Sequence, residues 1–472
     1  MSFNSILKSL FTLTKTKTSI SAISLDDEVI SDIERDRLHR EIYRTQGKLA
    51  SRYELDPLGR LKRQIAALNE LTQTETAKNA VTSAYAVKRS YGYDRTGNLT
   101  HSTDQRTGTT RFEYDKLGRI TKAGNERFAF DPAHNILSDD LNAVTDNRLK
   151  TYNGSSYYYD HFGNLIHREL ADGEVQNYFY DLHDQLVKAE IFKKDGTKET
   201  WAYTYDALGR RIGKGRLKHE EVSDGLEKET RFVWDGSHLL QEIQPDGRYT
   251  YLYTDPDSYE PLAQVRNWTN EDGESKQEIH YFHCDQIGIP REMTDKDGNL
   301  LWFGNYTGWG RLKEETKVTA SAYQPFRLQN QYADHETGLH YNFFRYYEPE
   351  CGRFINQDPI RLWGGSNFYQ FAMNALGWVD PLGLARKPIS SRLPEGSRTG
   401  QFGPKNGKLT KLDPQTGKPI QIRSYDAKGN PVKDIDFGHN HGFGDPHAHD
   451  WKYPSDKAPN KVRGEGRVLT KM

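Results

Sequence analysis

Apolar and polar positions alternate through most of the chain, and the alternation is cut at intervals by one short phrase. It reads YELDPLGRL at Tyr53, YGYDRTGNL at Tyr91, FEYDKLGRI at Phe112, FAFDPAHNI at Phe128, YYYDHFGNL at Tyr157, YFYDLHDQL at Tyr178, YTYDALGRR at Tyr203 and FVWDGSHLL at Phe232. Aromatic–x–aromatic puts two rings on one face of a strand, because strand side chains alternate with period two. The aspartate then opens a turn by accepting backbone N–H bonds, glycine supplies a positive φ, and a second strand starts at the Arg/Asn–Leu pair. A single hairpin cannot bury its face, so neighbouring units must stack into a long sheet. The Tyr and Asp residues of these phrases are therefore scaffold. Ahead of them, Asp26 to Leu49 reads as an amphipathic helix with acidic residues in its first turn.

Composition changes this picture at one point, the C-terminus. From Ala385 onward there are 17 Lys and Arg against 9 Asp and Glu, a surplus of 8; with −1 for the whole chain, the preceding 384 residues carry −9. A basic tail on an acidic body points to a nucleic-acid-directed tail. Only Cys284 and Cys351 occur, which excludes a disulfide framework and a cysteine zinc motif. The start, MSFNSILKSLFTLTKTKTSI, lacks the apolar run of a signal peptide, and no apolar segment has the length of a membrane span. The expectation is a protein made in the cytoplasm that leaves the cell by another route.

The tail reads as a small β-rich (α+β) domain. Asp426–Asn430 (DAKGN) is a turn between Ile422–Tyr425 and Val432–Phe437, so a hairpin leads into DFGHNHGFGDPHAHDW, Asp436 to Trp451, with four of the sixteen histidines. Three chemistries are open. His439 with His441, and His447 with His449, are spaced i,i+2; one neutral and one charged imidazole can act as base and acid on a ribose phosphodiester, with Asp436 or Asp445 as orienting groups and Lys433, Lys452 or Arg423 on the phosphorane. Alternatively the histidines with Asp434, Asp436, Asp445 and Asp450 hold a divalent metal for a DNase. The third reading is a solvated loop. A base deaminase is disfavoured because the tail has no cysteine for its zinc.

The YD-x-x-G-R/N units resemble those of the Rhs/YD-repeat proteins, polymorphic toxins whose strands wind into a hollow shell. YFHCDQIGIPREMTDKDGNLLWFGNYTGWG from Tyr281 resembles that family's H-x-D-x-x-G-x-P-R segment, and Phe326 to Ala385 resembles its core-terminal block almost throughout. The resemblance implies a mainly β fold in four parts: an N-terminal segment (1–50), a YD-repeat shell (51–325), an autoproteolytic block (326–384) and a toxin domain (385–472). It also implies an intramolecular aspartyl protease cutting after D-P-x-G-L, here between Leu384 and Ala385, with Asp380 and Asp358 as the dyad and Arg353 as the cation that biases it. The tail is similar to polymorphic toxin type 24 domains, which implies a nuclease. Delivery machinery such as type VI secretion and an acidic immunity protein are the implied partners. The competing class is a non-enzymatic YD-repeat surface protein.

Overall fold

The computed structural model describes residues 11–15, 20–25, 28–68, 85–138, 144–218, 225–255, 257–319, 322–388, 408–412, 419–425, 431–437, 447–452 and 462–468. The chain divides into a body, Met1–Leu393, and a tail unit, Pro394–Met472. In the body an eleven-stranded sheet runs from Phe11–Lys15 to Glu126–Arg127, and a fifteen-stranded sheet from Thr151–Tyr152 to Leu312–Lys317. Every strand pairs antiparallel with its neighbours in sequence, so each sheet is a row of hairpins. The described residues contain no α-helix, only 3₁₀ turns such as Thr145–Asn147 and Arg361–Trp363.

The repeated phrase explains the rows. At Asp56, Oδ1 accepts the N–H of Leu58 (2.9 Å) and Arg60 (3.0 Å), and Oδ2 accepts Arg60 Nε (2.7 Å). Gly59 closes the turn at φ 83°. Asp115 and Asp206 repeat this with Arg119 and Arg210. The first aromatic of six of the eight units is buried in the core, Tyr53, Tyr91, Tyr157, Tyr178, Tyr203 and Phe232, and in the other two Phe112 and Phe128 are half-buried against it. The tyrosine before the aspartate has a separate task, bonding the neighbouring hairpin. Tyr93, Tyr114, Tyr180 and Tyr205 donate to the carbonyls of Leu61, Leu99, Leu165 and Leu186, at 2.7–2.9 Å. Aromatic residues therefore do two jobs along one face, packing at the first position and hydrogen bonding at the second.

The helix expected over Asp26–Leu49 is not there. Strands Glu28–Arg35 and Glu41–Gln46 pair across a turn at Asp36, whose Oδ1 accepts Leu38 N–H at 2.9 Å. This is a further copy of the repeat. Its Ile33–Glu34–Arg35 lacks the aromatics, and His39, at φ 61°, stands in the glycine position. Acidic and apolar residues at helical spacing imitated a helix, but sheet partners on both sides decide the outcome.

Residues of the block that starts at Phe326 pack on one face of the second sheet. Tyr341, Tyr347, Phe354 and Phe371 share one core with Tyr157, Tyr178, Leu165 and Trp309. A buried ion pair, Arg211 to Asp334 at 2.5 Å, and Lys214 to Asp334 at 2.9 Å, fix this block to the sheet. Lys387–Pro388 still pairs with Trp378–Val379, so the first residues after Ala385 remain with the body. The tail unit is a five-stranded antiparallel sheet: Lys408–Leu412, Pro419–Tyr425, Pro431–Asp436, His447–Lys452 and Val462–Val468.

Candidate functional site

Asp358 and Asp380 lie far apart in sequence and meet at one guanidinium. Arg345, on strand Arg345–Glu348, reaches Asp358 Oδ2 at 3.1 Å and Asp380 Oδ2 at 3.5 Å through the same nitrogen. All three side chains are buried, at 1–5% exposure. Arg345 is held in place by donating to the carbonyls of Gly383 and Phe368, and it stacks on Phe354 at 3.6 Å. Burial raises both carboxyls above the ordinary aspartate range despite the opposing pull of Arg345. Burial also pulls Arg345 down to about 10. Two carboxyls held this way are poised for one to keep a proton while the other is ionised.

The D-P-L-G-L segment is folded around its own aspartate. Asp380 Oδ1 accepts the N–H groups of Leu384 (2.9 Å) and Ala385 (3.1 Å), the two residues flanking the expected cut. Gly383 turns at φ 65°, where a side chain would strike the Asn342 carbonyl. Asn342 and Asn330 hold the turn by donating to the carbonyls of Asp380 (3.0 Å) and Pro381 (2.6 Å). On the other side Gly364 supplies the space. A Cβ there would come within 2.1 Å of Asp358 Oδ2 and 2.9 Å of the Leu384 carbonyl oxygen, so both oxygens crowd the same point. Gly365 makes room for the Arg386 guanidinium in the same way. Arg386 is half-buried, and burial lowers its pKa against the pull of Asp380 and Asp358.

Arg353 is not the cation of this pair. Its guanidinium turns away, donating to the Asn147 carbonyl and Asn135 Oδ1 and lying over Tyr369 at 4.8 Å. The cation is Arg345, eight positions earlier. Its sequence signal is a lone arginine inside the aromatic run YNFFRYY, where a buried charge must be paired.

In the tail, Asp436 ends strand Pro431–Asp436, and His447 and His449 lie on strand His447–Lys452. The register sets Asp434 opposite Arg423 on one side and His449 on the other, and Asp436 opposite Gln421 and His447. Lys433, the residue before Asp434, lies opposite Asp450. Arg423 forms a buried bidentate pair with Asp434 at 2.6 and 2.7 Å, a commitment that competes with any contact to a phosphate. His439, His441 and Asp445 lie outside the described residues.

Comparison with known proteins agrees with this architecture. The Teneurin YD-shell model matches residues 66–223 and the RHS protein model residues 279–316. Over 78% of its length the chain is 39% identical to 27% of double-stranded DNA deaminase toxin A of Burkholderia cenocepacia. It is 32% identical to toxin protein Tse5 of Pseudomonas aeruginosa, over 74% of the chain and 30% of that protein. Over 91% of the chain it is 28% identical to 29% of the probable deoxyribonuclease RhsA of Dickeya dadantii. The chain thus spans less than a third of the length of these relatives. Among solved structures, a TcdB2–TccC3 complex superposes with a TM-score of 0.52 at 17% identity, over 78% of this chain and 20% of that one. No helix among the described residues is long and apolar enough to cross a membrane. By its repeats, its core-terminal block and these matches, the chain belongs to the Rhs/YD-repeat family of polymorphic toxins.

Proposed function

We propose that the body is a self-cleaving carrier and that the residues from Ala385 onward are a nuclease effector, delivered into a competing bacterium. The observation that carries the first half is the contact of Asp380 Oδ1 with both amides flanking the Leu384–Ala385 bond. Water adds to the Leu384 carbonyl carbon, the C–N bond breaks, and one water proton ends on the Ala385 nitrogen. Asp380, already at that nitrogen, takes the proton from water and delivers it. Asp358, when it is the carboxyl that holds the proton, supports the carbonyl oxygen as charge builds there. Arg345 holds the two carboxyls apart in protonation and together in space. On a denaturing gel the wild-type chain then runs as two pieces that co-purify under native conditions; a single full-length band contradicts the reading.

For the tail, the surplus of basic charge and the register pairing of Asp436 with His447 support acid–base cleavage of RNA without a metal. His439, His441, His447, His449, Asp436, Asp445 and Lys433 form the candidate set. The similarity to the probable deoxyribonuclease RhsA covers 91% of the chain and so reaches into the tail, which favours a metal-dependent DNase as the second reading. Expression of Ala385–Met472 alone arrests growth under either reading, and indifference to it points to a binding module. RNA cleavage that persists in EDTA supports the first; DNA cleavage restored by Mg²⁺ or Mn²⁺ supports the second. An acidic immunity protein and export machinery such as type VI secretion complete the proposal.

A further inference from the structure

Arg353, displaced from the dyad, leaves an unanswered charge. It is 6% exposed, and among the described residues no carboxylate pairs with it. Its Nε finds no hydrogen-bond partner. Trp309 is 2% exposed, and its indole Nε1 is likewise unpartnered, as is Nδ1 of His134. These three side chains line one small cavity, together with Asn135, Gly352 and Asn367. A guanidinium and an indole can only donate, so the cavity presents donors and a positive charge. A buried arginine without an acid partner is rare, because removing its charge from water costs far more than a neutral contact returns. A water could accept one or two of these N–H groups but would leave the charge uncompensated.

We propose that this cavity binds a single monoatomic anion, a halide, held by Arg353 Nε and Trp309 Nε1. Its small size excludes sulfate, phosphate and carboxylates. The ion sits where the hairpin containing Asn135 and Ile136 meets the block that carries the dyad. Asn367 Nδ2 bonds Asn135 Oδ1 at 2.8 Å at the same junction, and Arg353 itself bridges to Gln370. The halide is thus a structural ligand of the junction, distinct from the self-cleavage chemistry.

The test is thermal unfolding of the full chain in sodium chloride against sodium gluconate at equal ionic strength. Chloride raises the wild-type midpoint by about 2 °C, a shift of the order that one bound ligand gives a domain of this size. Arg353→Gln and Trp309→Phe, the second removing the indole N–H together with its five-membered ring, each lose most of that chloride-dependent difference, whatever their midpoint in gluconate. If Arg353→Gln fails to fold, Trp309→Phe alone decides. Crystals grown in sodium bromide show an anomalous peak within hydrogen-bond reach of both nitrogens. A chloride effect of equal size in the variants, no chloride effect in the wild type, or density without anomalous signal overturns the proposal; the last means that the cavity holds water.

Discussion

The turn at Asp206 and the turn at Asp380 are built from the same rule, yet the first is scaffold and the second forms the candidate site. In both, the aspartate Oδ1 accepts the N–H four residues on, and a glycine three residues on takes a positive φ. They differ in what faces Oδ2. In the scaffold turn it is the arginine at the fourth position, Arg210 at 2.8 Å, on an aspartate that is 22% exposed. There, burial pushes the carboxyl up but the bonds from Arg210 and the turn amides outweigh it, and it sits below its ordinary range. At Asp380 the fourth residue is Leu384, so Oδ2 is left for a shared arginine, exposure falls to 2%, and burial wins. Asp358 is likewise buried with Arg345 at Oδ2, but its Oδ1 accepts the Ile360 N–H two residues on, and Arg361 at φ 52° stands in the glycine position. An arginine at the fourth position of a half-exposed turn thus goes with a carboxyl held low, and a leucine there in a buried turn with one pushed up.

The comparison is broken most sharply at the dyad. Asp380→Asn or Asp358→Asn slows self-cleavage by about 10²–10⁴-fold, the usual cost of losing a general acid or base, and leaves one intact chain on a gel. Asp206→Ala leaves two pieces. Gly364→Ala keeps every charge and an unremarkable φ but drives a methyl into Asp358 Oδ2 and the Leu384 carbonyl, so cleavage is lost although both aspartates remain. The scaffold aspartates show their role in stability: Asp206→Ala lowers the unfolding free energy of the body by about 1–3 kcal/mol in urea titration, since it leaves turn amides and Arg210 unpaired.

Two pH effects sharpen the same contrast. Because burial raises Asp358 and Asp380, self-cleavage falls off as pH rises past the raised value of the carboxyl that must keep its proton; a rate that climbs steadily through neutral pH contradicts that role. Away from the dyad, burial pulls His283 down to about 3 and His335 to about 4. The unfolded chain takes up these protons from about pH 6.5 downward and the folded chain does not, so stability is lost as pH falls below that point. His283→Gln, which can keep the bond to Thr294 Oγ1 (2.9 Å), loses less stability than the wild type between pH 7 and pH 5 in urea titrations.

The repeats were legible because each unit writes its turn locally: aspartate, glycine and a bonded arginine or asparagine within five residues. The copy at Asp36 was not, since His39 occupies the glycine position and no aromatic precedes it. The dyad was legible only through resemblance, and its cation was misplaced onto Arg353, which is nearer in sequence to Asp358. Arg345 gains its position from tertiary packing on Phe354 and from carbonyls more than twenty residues away, which no local pattern encodes. In the tail, the hairpin strands follow their hydrophobic alternation. The pairing of Asp436 with His447 depends on a register that spans a ten-residue connection.

The most direct test of the account is the intact mass of the purified full chain under denaturing conditions, with the N-terminal residue of any smaller fragment. The account predicts two masses that sum to the 54.4 kDa chain plus one water, the smaller beginning at Ala385. A single mass at full length, or a fragment starting at any other residue, contradicts it.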